Sequence, residues 1–249
     1  MVKSGPSAKN IRVLGIIPAR GGSKGIPHKN IVPLLGRPLI YYTIREAKRS
    51  TLLDAFIVST DDPKIAAVAR SLGADVPFLR PKKYAGDTSP DIEFLQHAVG
   101  WLERHRGWKP EIVVILQPTS PSRTARDIDG AIRFMVRENC YSVRTLVDPS
   151  PYNPFKMWQL IDRRTGLMRP LLRTKHYRRL GTDVPRQLLP NYYLQVGLVY
   201  ATRTKFIRRG KVWGPDVRGF VIAEERFVDI DTPKDLKRAG EVLRALKLA

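Results

Sequence analysis

At 249 residues, with 43% hydrophobic and 27% charged residues, the chain can bury a substantial core, and its composition excludes a disordered or fibrous polymer. No apolar run approaches the ~20 residues that cross a bilayer, and the one cysteine, Cys140, excludes an internal disulfide, so a cytoplasmic protein with no membrane partner is expected. The net charge of +21 suits a polyanion surface, capture of small anions or a solvated basic exterior; the basic residues are spread along the chain without a nucleic-acid-binding motif, so nucleic acid is not the expected partner.

Residues 1–10 lack an apolar h-region and a cleavage site, and a disordered tail is expected there, followed by one domain over 11–249. The strand pattern IRVLGIIP (11–18) enters a glycine-rich loop, and RPLIYYTIREAKRS (37–50) reads as a helix with Pro38 in its first turn. DAFIVST (54–60) is a strand. The helix DDPKIAAVARSLG (61–73) follows, with Asp61 or Asp62 as N-cap and Gly73 as stop. A short strand VPFLR (76–80), a helix SPDIEFLQHAVGWLERHRG (89–107) and a strand EIVVILQ (111–117) come next. PTSPSR (118–123) leads into the helix TARDIDGAIRFMVREN (124–139), and CYSVRTLV (140–147) reads as a strand with Cys140 a buried thiol. This alternation predicts an α/β fold of three layers, a mostly parallel sheet with helices on both faces.

The rhythm fails over 148–190. This proline- and arginine-rich stretch predicts a small β-rich excursion, two short strands about the turn RRTG. Its Tyr152, Phe155, Met157, Trp158, Leu160, Leu167, Leu171 and Leu172 carry more apolar surface than a solvated loop, so a second copy of the chain is expected to cover it. NYYLQVGLVYA (191–201) and RGFVIAEERFVDID (218–231) read as strands, and TPKDLKRAGEVLRALK (232–247) as the closing helix.

The loop IIPARGGSKGIPHKN (16–30) lies beyond the carboxyl end of a strand, where open α/β sheets bind ligands. Gly21, Gly22 and Gly25 allow backbone amides to approach a ligand, while Arg20, Lys24 and Lys29 supply positive charge, a combination suited to phosphates. It fits neither the Walker A pattern nor the dinucleotide fingerprint. In VDIDTP (228–233), Asp229 and Asp231 lie two apart and can share one face of a strand; they read as a carboxylate pair for a metal, or Asp231 as a helix cap. The four histidines have no metal-ligand spacing: His28 reads as exposed and His97 as a core or boundary residue.

The loop resembles the A-R-x-x-S-K-x-x-P-x-K-N signature of the acylneuraminate cytidylyltransferases, the CMP-sialic acid synthetase family, with Arg20, Ser23, Lys24, Pro27, Lys29 and Asn30 matching. IVSTDD (57–62), FLRPKKYAGDTSP (78–90), LQPTSPSR (116–123), PRQLLP (185–190) and VDIDTPKDL (228–236) match in the same order. The resemblance implies a nucleotide-diphospho-sugar transferase-like fold, a homodimer, and Mg²⁺-dependent transfer of CMP from CTP to a nonulosonic acid with release of pyrophosphate. By the same resemblance Arg20, Lys24 and Asp231 are catalytic, and Asp229 and Asp231 hold Mg²⁺. Nucleotide contacts fall to Arg20, Gly22, Ser23, Lys24, Lys29, Asn30, Arg80, Asp87, Thr88 and Ser89. Acceptor contacts fall to Gln117, Lys156, Arg186, Gln195 and Tyr200.

One departure concerns the acceptor. Sialic acid synthetases carry a pattern like R-P-N-G-A-I-Y where this chain reads LQVGLVY, so Leu194 and Val196 replace an arginine and an asparagine. N-acetylneuraminate, legionaminate and other keto-acid sugars therefore stay open as acceptors, as does GTP against CTP. A basic nucleic-acid-binding protein on the same scaffold is the reading from a different class.

Overall fold

Short strands that are apolar at every position must be covered on both faces, and that requirement organises the chain. The computed structural model describes residues 11–149, 152–173, 175, 181 and 184–248. In chain order it contains β1 (Val13–Pro18), β2 (Pro33–Leu34), β3 (Arg37–Pro38), α1 (Ile40–Arg49), β4 (Ala55–Ser59), α2 (Pro63–Ser71), α3 (Asp91–Arg106) and β5 (Ile112–Ile115). There follow α4 (Ala125–Arg137), β6 (Ser142–Val147), β7 (Trp158–Asp162), β8 (Leu167–Pro170), β9 (Leu194–Arg203), α5 (Thr204–Arg208), β10 (Val217–Val221) and α6 (Pro233–Ala245). The tail expected over 1–10 lies outside the described residues.

Six strands form one sheet in the order β10-β6-β9-β5-β1-β4. Neighbours are parallel except at β9, which runs antiparallel to both β5 and β6. The chain returns from the 148–190 excursion at the end where β6 finishes, so β9 must run back along it. Helices α1, α2 and α4 bury Ile44, Ile65 and Ile132 on one face. Helix α3 and the short α5 bury Phe94, Leu95 and Ile207 on the other, and α6 closes a third cluster around Leu39, Tyr42 and Ile230. The expected three-layer, mostly parallel architecture is the observed one.

Three local expectations change, and one open alternative is resolved. Pro38 pairs with Pro33 in the small β2–β3 ladder, and α1 starts at Ile40. VPFLR forms no strand: Pro77 has no amide to donate, and the segment touches the sheet only through isolated bridges from Asp75 to Ile57 and from Leu79 to Thr60. Of the two candidate caps, Asp62 is the one used, accepting from the Lys64 and Ile65 amides at 2.7 and 3.3 Å. The last strand ends at Val221, so Asp229 and Asp231 sit outside the sheet, although Val228 and Ile230 are buried as the alternation requires. The excursion agrees with its reading: β7 and β8 pair antiparallel, and Asp162 stabilises the turn by accepting from the Arg164 amide at 2.8 Å.

Asp129 of α4 ties that helix to the turn before β4, accepting from the Thr51 amide at 3.1 Å, the Thr51 hydroxyl at 2.7 Å and the Leu52 amide at 3.3 Å. Burial pushes its pKa up, but hydrogen bonds from Ser50, Thr51 and Leu52 outweigh burial and leave it below the usual carboxylate value. A depressed folded pKa means stabilisation that is present above the unfolded value of about 3.9 and lost as pH falls through the folded one. Asp129→Ala is expected to cost about 1–3 kcal/mol at pH 7 and to flatten the loss of stability below about pH 4. Urea melts across pH check this, and an unchanged midpoint at pH 7 would contradict it.

Candidate active site

The glycine-rich loop leaves β1 already anchored, because the Ala19 amide donates to the Ser59 carbonyl at 3.0 Å. The Gly21 amide then donates to Asp61 Oδ1 at 3.0 Å, which gives Asp61 a loop-holding task beside its neighbour's capping one. Asn30 is buried and its Nδ2 donates to the Arg20 carbonyl at 3.0 Å. The far end of the loop presses against the VDID segment. A Cβ on Gly25 would stand 2.1 Å from the Asp231 carbonyl oxygen, so only glycine fits there. Lys29 Nζ donates to the Ile230 carbonyl at 2.7 Å and to Asp231 Oδ1 at 2.8 Å. Asp231 is therefore not the helix cap; Thr232 caps α6, accepting from the Asp235 amide at 3.3 Å.

Between this loop and residues 80–91 opens a cleft of about 680 Å³ at the carboxyl ends of β1 and β5. Arg20 donates to the Gly86 carbonyl and to Asp87, both at 2.9 Å, and Lys24 reaches the other Asp87 oxygen at 2.9 Å. Asp87, expected among the nucleotide contacts, bridges two loop cations, and the Lys24 hydrogen bond holds its carboxyl below the usual range. Ser89 stabilises the same turn, accepting from the Gly86 amide at 3.2 Å and donating to the Lys83 carbonyl at 3.2 Å.

Arg80 is 4% exposed. Its Nε donates to Ser59 Oγ at 3.0 Å, a second nitrogen bonds the Ser59 carbonyl, and the guanidinium lies 4.7 Å from the Phe94 ring centroid. Burial lowers it to about 10, which leaves it charged at neutral pH. Asp91, at the start of α3, is pushed up by burial and pulled back by Arg80 and Arg144.

The floor is set by Gln117, Pro118 and Thr119 at the end of β5. Gln117 packs against bare backbone: a Cβ on Gly197 would lie 2.2 Å from its Oε1. The Thr119 carbonyl accepts from the Ile230 amide at 3.0 Å, which seats the VDID segment on the floor. The cleft walls raise Asp229 above the usual carboxylate value, with Asp231 adding to the effect and a Thr119 hydrogen bond opposing it. Asp229 and Asp231 suit a hard divalent cation, since two carboxylates completed by phosphate oxygens and water form a common Mg²⁺ set. Among the described residues no cluster of three or more His, Cys, Asp or Glu could hold a metal ion.

The described residues lining the cleft bring together Arg20, Ser23, Lys24, Lys29, Asn30, Arg80, Asp87, Ser89, Gln117, Asp229 and Asp231, all expected at the site from the sequence. They do not include Gly22, Thr88, Lys156, Gln195 or Tyr200. Lys156 stands in the short helical turn Pro154–Lys156 of the excursion. The Arg186 side chain lies outside the described residues. Gln195 Nε2 donates to the Tyr200 hydroxyl at 3.3 Å, and burial raises the Tyr200 pKa and keeps it neutral. Cys140 is buried and its thiol is raised by burial, in line with a structural role. His97 packs edge-on to Phe78 and is kept neutral by burial, while His28 contacts Asp62 at 3.5 Å. Sequence reasoning missed Asp91 and Phe94, whose signal was only that of a helix start.

Residues 14–153 match the family described as "Cytidylyltransferase". The chain is 32% identical over 227 residues to the CMP-N,N'-diacetyllegionaminic acid synthase of Legionella pneumophila, covering 90% of this chain and 93% of that protein. It is 29% identical over 234 residues to the N-acylneuraminate cytidylyltransferase of Escherichia coli, covering 92% of this chain and 51% of that protein, so it spans about half the length of this relative. The solved structure of a CMP:2-keto-3-deoxy-manno-octonic acid synthetase complexed with CTP superposes with a TM-score of 0.68 at 18% identity, covering 95% of this chain and 100% of that one, and shares its fold.

Two of the three loop glycines, Gly22 and Gly25, separate packing from flexibility. Gly25→Ala must push the loop off Asp231 and is expected to lower kcat/KM about a hundred-fold, the scale of an ångström-sized misplacement. A Cβ on Gly22 meets nothing within 4 Å, so Gly22→Ala should retain near-normal kinetics. Steady-state kinetics on both variants check this, and equal loss in the two would refute the contact argument.

Proposed function

Because this chain belongs to the cytidylyltransferase family and is a nucleotidyltransferase, we propose that it transfers CMP from CTP to the anomeric hydroxyl of a nonulosonic acid, with Mg²⁺ bound and pyrophosphate released. The observation that carries this reading is the convergence on one cleft of the loop cations Arg20, Lys24 and Lys29 with the carboxylates of Asp229 and Asp231.

In this reading the triphosphate takes the place of Asp87 on Arg20 and Lys24. The Gly25 backbone on the cleft lining faces the phosphates, and the acceptor oxygen, giving up its proton to solvent, forms a bond to the α-phosphorus as the bond to the pyrophosphate oxygen breaks. Such a transfer depends on in-line positioning and charge neutralisation more than on a protein nucleophile. Mg²⁺ held by Asp229 and Asp231 supplies charge neutralisation at the phosphates. Lys29 orients Asp231 by its 2.8 Å contact, and Asp229 and Asp231 are the residues that would hold the ion. Gln117 on the cleft floor is placed to pair with acceptor hydroxyls, with its amide fixed against Gly197.

The same reading makes the excursion a dimer contact. On the hairpin, Trp158, Leu160, Leu167 and Met168 are each more than two-fifths exposed, an apolar surface that a second copy would cover.

Pyrophosphate release measured over CTP, GTP, ATP and UTP with a panel of sialic, legionaminic, pseudaminic and shorter keto-acid sugars should single out CTP with a nonulosonate; silence across the panel would reject the reading. Asp231→Asn is expected to cut turnover at least about a hundred-fold at limiting Mg²⁺ with the melting temperature unchanged. Lys24→Ala should lower kcat, and an effect confined to acceptor KM would move this lysine to the other substrate. Light scattering should find a dimer at micromolar concentration, and a fully active monomer would exclude the shared assembly.

A further inference from the structure

Strand β9 breaks its register where it passes Gln117. The adjacent residues Arg144 and Thr145 of β6 pair with Tyr200 and Val196, so Gly197, Leu198 and Val199 form a bulge with no register partner on β6. On the other side, β5 pairs with β9 only as far as Ile115 opposite Tyr200. Backbone groups buried in such a bulge need partners from elsewhere. Thr145, fully buried, supplies them from one hydroxyl. Its Oγ1 donates to the Val196 carbonyl at 2.7 Å, with the Val199 carbonyl a second acceptor at 3.2 Å, and accepts from the Val199 amide at 3.1 Å. Arg123 holds the middle of the bulge by donating to the Leu198 carbonyl at 2.9 Å.

The bulge backbone is the seat of a cleft residue. A Cβ on Gly197 would stand 2.2 Å from Gln117 Oε1, 3.3 Å from Gln117 Cδ and 3.2 Å from Ser120 Oγ, so the Gln117 carboxamide rests directly on the bulge. Gln117 lines the cleft, and it is the movable partner in this contact, because Gly197 is held from both sides through Val196 and Val199. Valine has nearly the shape of threonine, so what position 145 gains from its hydroxyl is the hold on the bulge.

We propose that the β9 bulge, plugged by the positioning residue Thr145, sets the acceptor side of the site: it fixes the height of Gly197 and, through it, the reach of the Gln117 carboxamide toward the acceptor sugar. The inference rests on the reading of Gln117 as an acceptor contact. The test is a pair of double-mutant cycles read by steady-state kinetics, with CTP and the acceptor varied separately. Thr145→Val and Gly197→Ala should each lower kcat/KM for the acceptor at least about ten-fold and leave KM for CTP unchanged, and Thr145→Ser should recover most of the loss. In a Gln117→Ala background, itself impaired toward the acceptor, neither substitution should cost anything further. Losses that add to that of Gln117→Ala, or that fall equally on CTP and the acceptor, would overturn the inference while leaving the activity standing. A Thr145→Val chain that does not fold would make Thr145 a folding residue and overturn its part, and the Gly197→Ala cycle then decides for the bulge. Gln117→Ala with wild-type acceptor kinetics would instead overturn the reading of Gln117 on which the inference stands. Wild-type enzyme silent with every acceptor would overturn the activity itself, before any variant is made.

Discussion

The working end of the sheet is held by a single buried guanidinium. Arg123 is 1% exposed, and its two terminal nitrogens donate to the Gln117 carbonyl at 3.0 and 2.7 Å, to the Leu198 carbonyl at 2.9 Å and to Thr43 Oγ1 at 2.8 Å. These partners belong to the end of β5, to β9 and to α1. One side chain therefore fixes the strand end that carries Gln117, the glycine-bearing strand that Gln117 packs on, and the helix behind them. Burial lowers Arg123 to about 9, against the pull of Asp127 and Glu46, so it stays charged. Glu46 is itself buried and accepts from the Ala125 amide at 2.9 Å, which ties the start of α4 to the same centre. Parallel strands leave their terminal carbonyls without partners at the ligand-binding end, and a buried arginine satisfies several at once.

On top of this fixed floor the cleft keeps its cations occupied by its own acids. Arg20 and Lys24 share Asp87, and Lys29 holds Asp231. The Asp87 pairs are solvent-exposed, and pairs of that kind are weak and screened by salt. A multiply charged phosphate outcompetes such a carboxylate, so the pairs keep the loop ordered without closing it to a ligand. Lys29 differs, because its side chain is 15% exposed and it also bonds the Ile230 carbonyl. It belongs to the frame that orients the acidic segment, whereas Arg20 and Lys24 line the cleft through exposed pairs alone.

The sites of disagreement between pattern and structure are physical in origin. Alternation of Val228, Asp229, Ile230 and Asp231 correctly sent the apolar pair inward and the acids outward, but period two does not require a hydrogen-bonded neighbour, and here the segment lies outside the sheet. VPFLR has strand composition, yet Pro77 removes a donor and leaves only isolated bridges. The pairing of Asp87 with Arg20 and Lys24 joins positions 67 and 63 residues apart, and no local rule selects among the acids within reach. Arg144 illustrates the same limit, since its burial depends on Tyr200 and Trp213 arriving from far along the chain.

The sequence by itself determined the alternation of strands and helices, the side of the sheet on which the loop emerges, the loop's cationic and glycine-rich chemistry, and the paired acids. These follow from periodicity, from proline and glycine geometry and from residue types close together in the chain. Tertiary structure alone decided that β9 runs against its neighbours, that Gly25 is required by the Asp231 carbonyl and Gly197 by Gln117, and which charges are paired, buried or left facing the cleft. Those outcomes depend on contacts between segments distant in sequence, where burial and hydrogen-bond geometry, and not local preference, set the energy of each side chain.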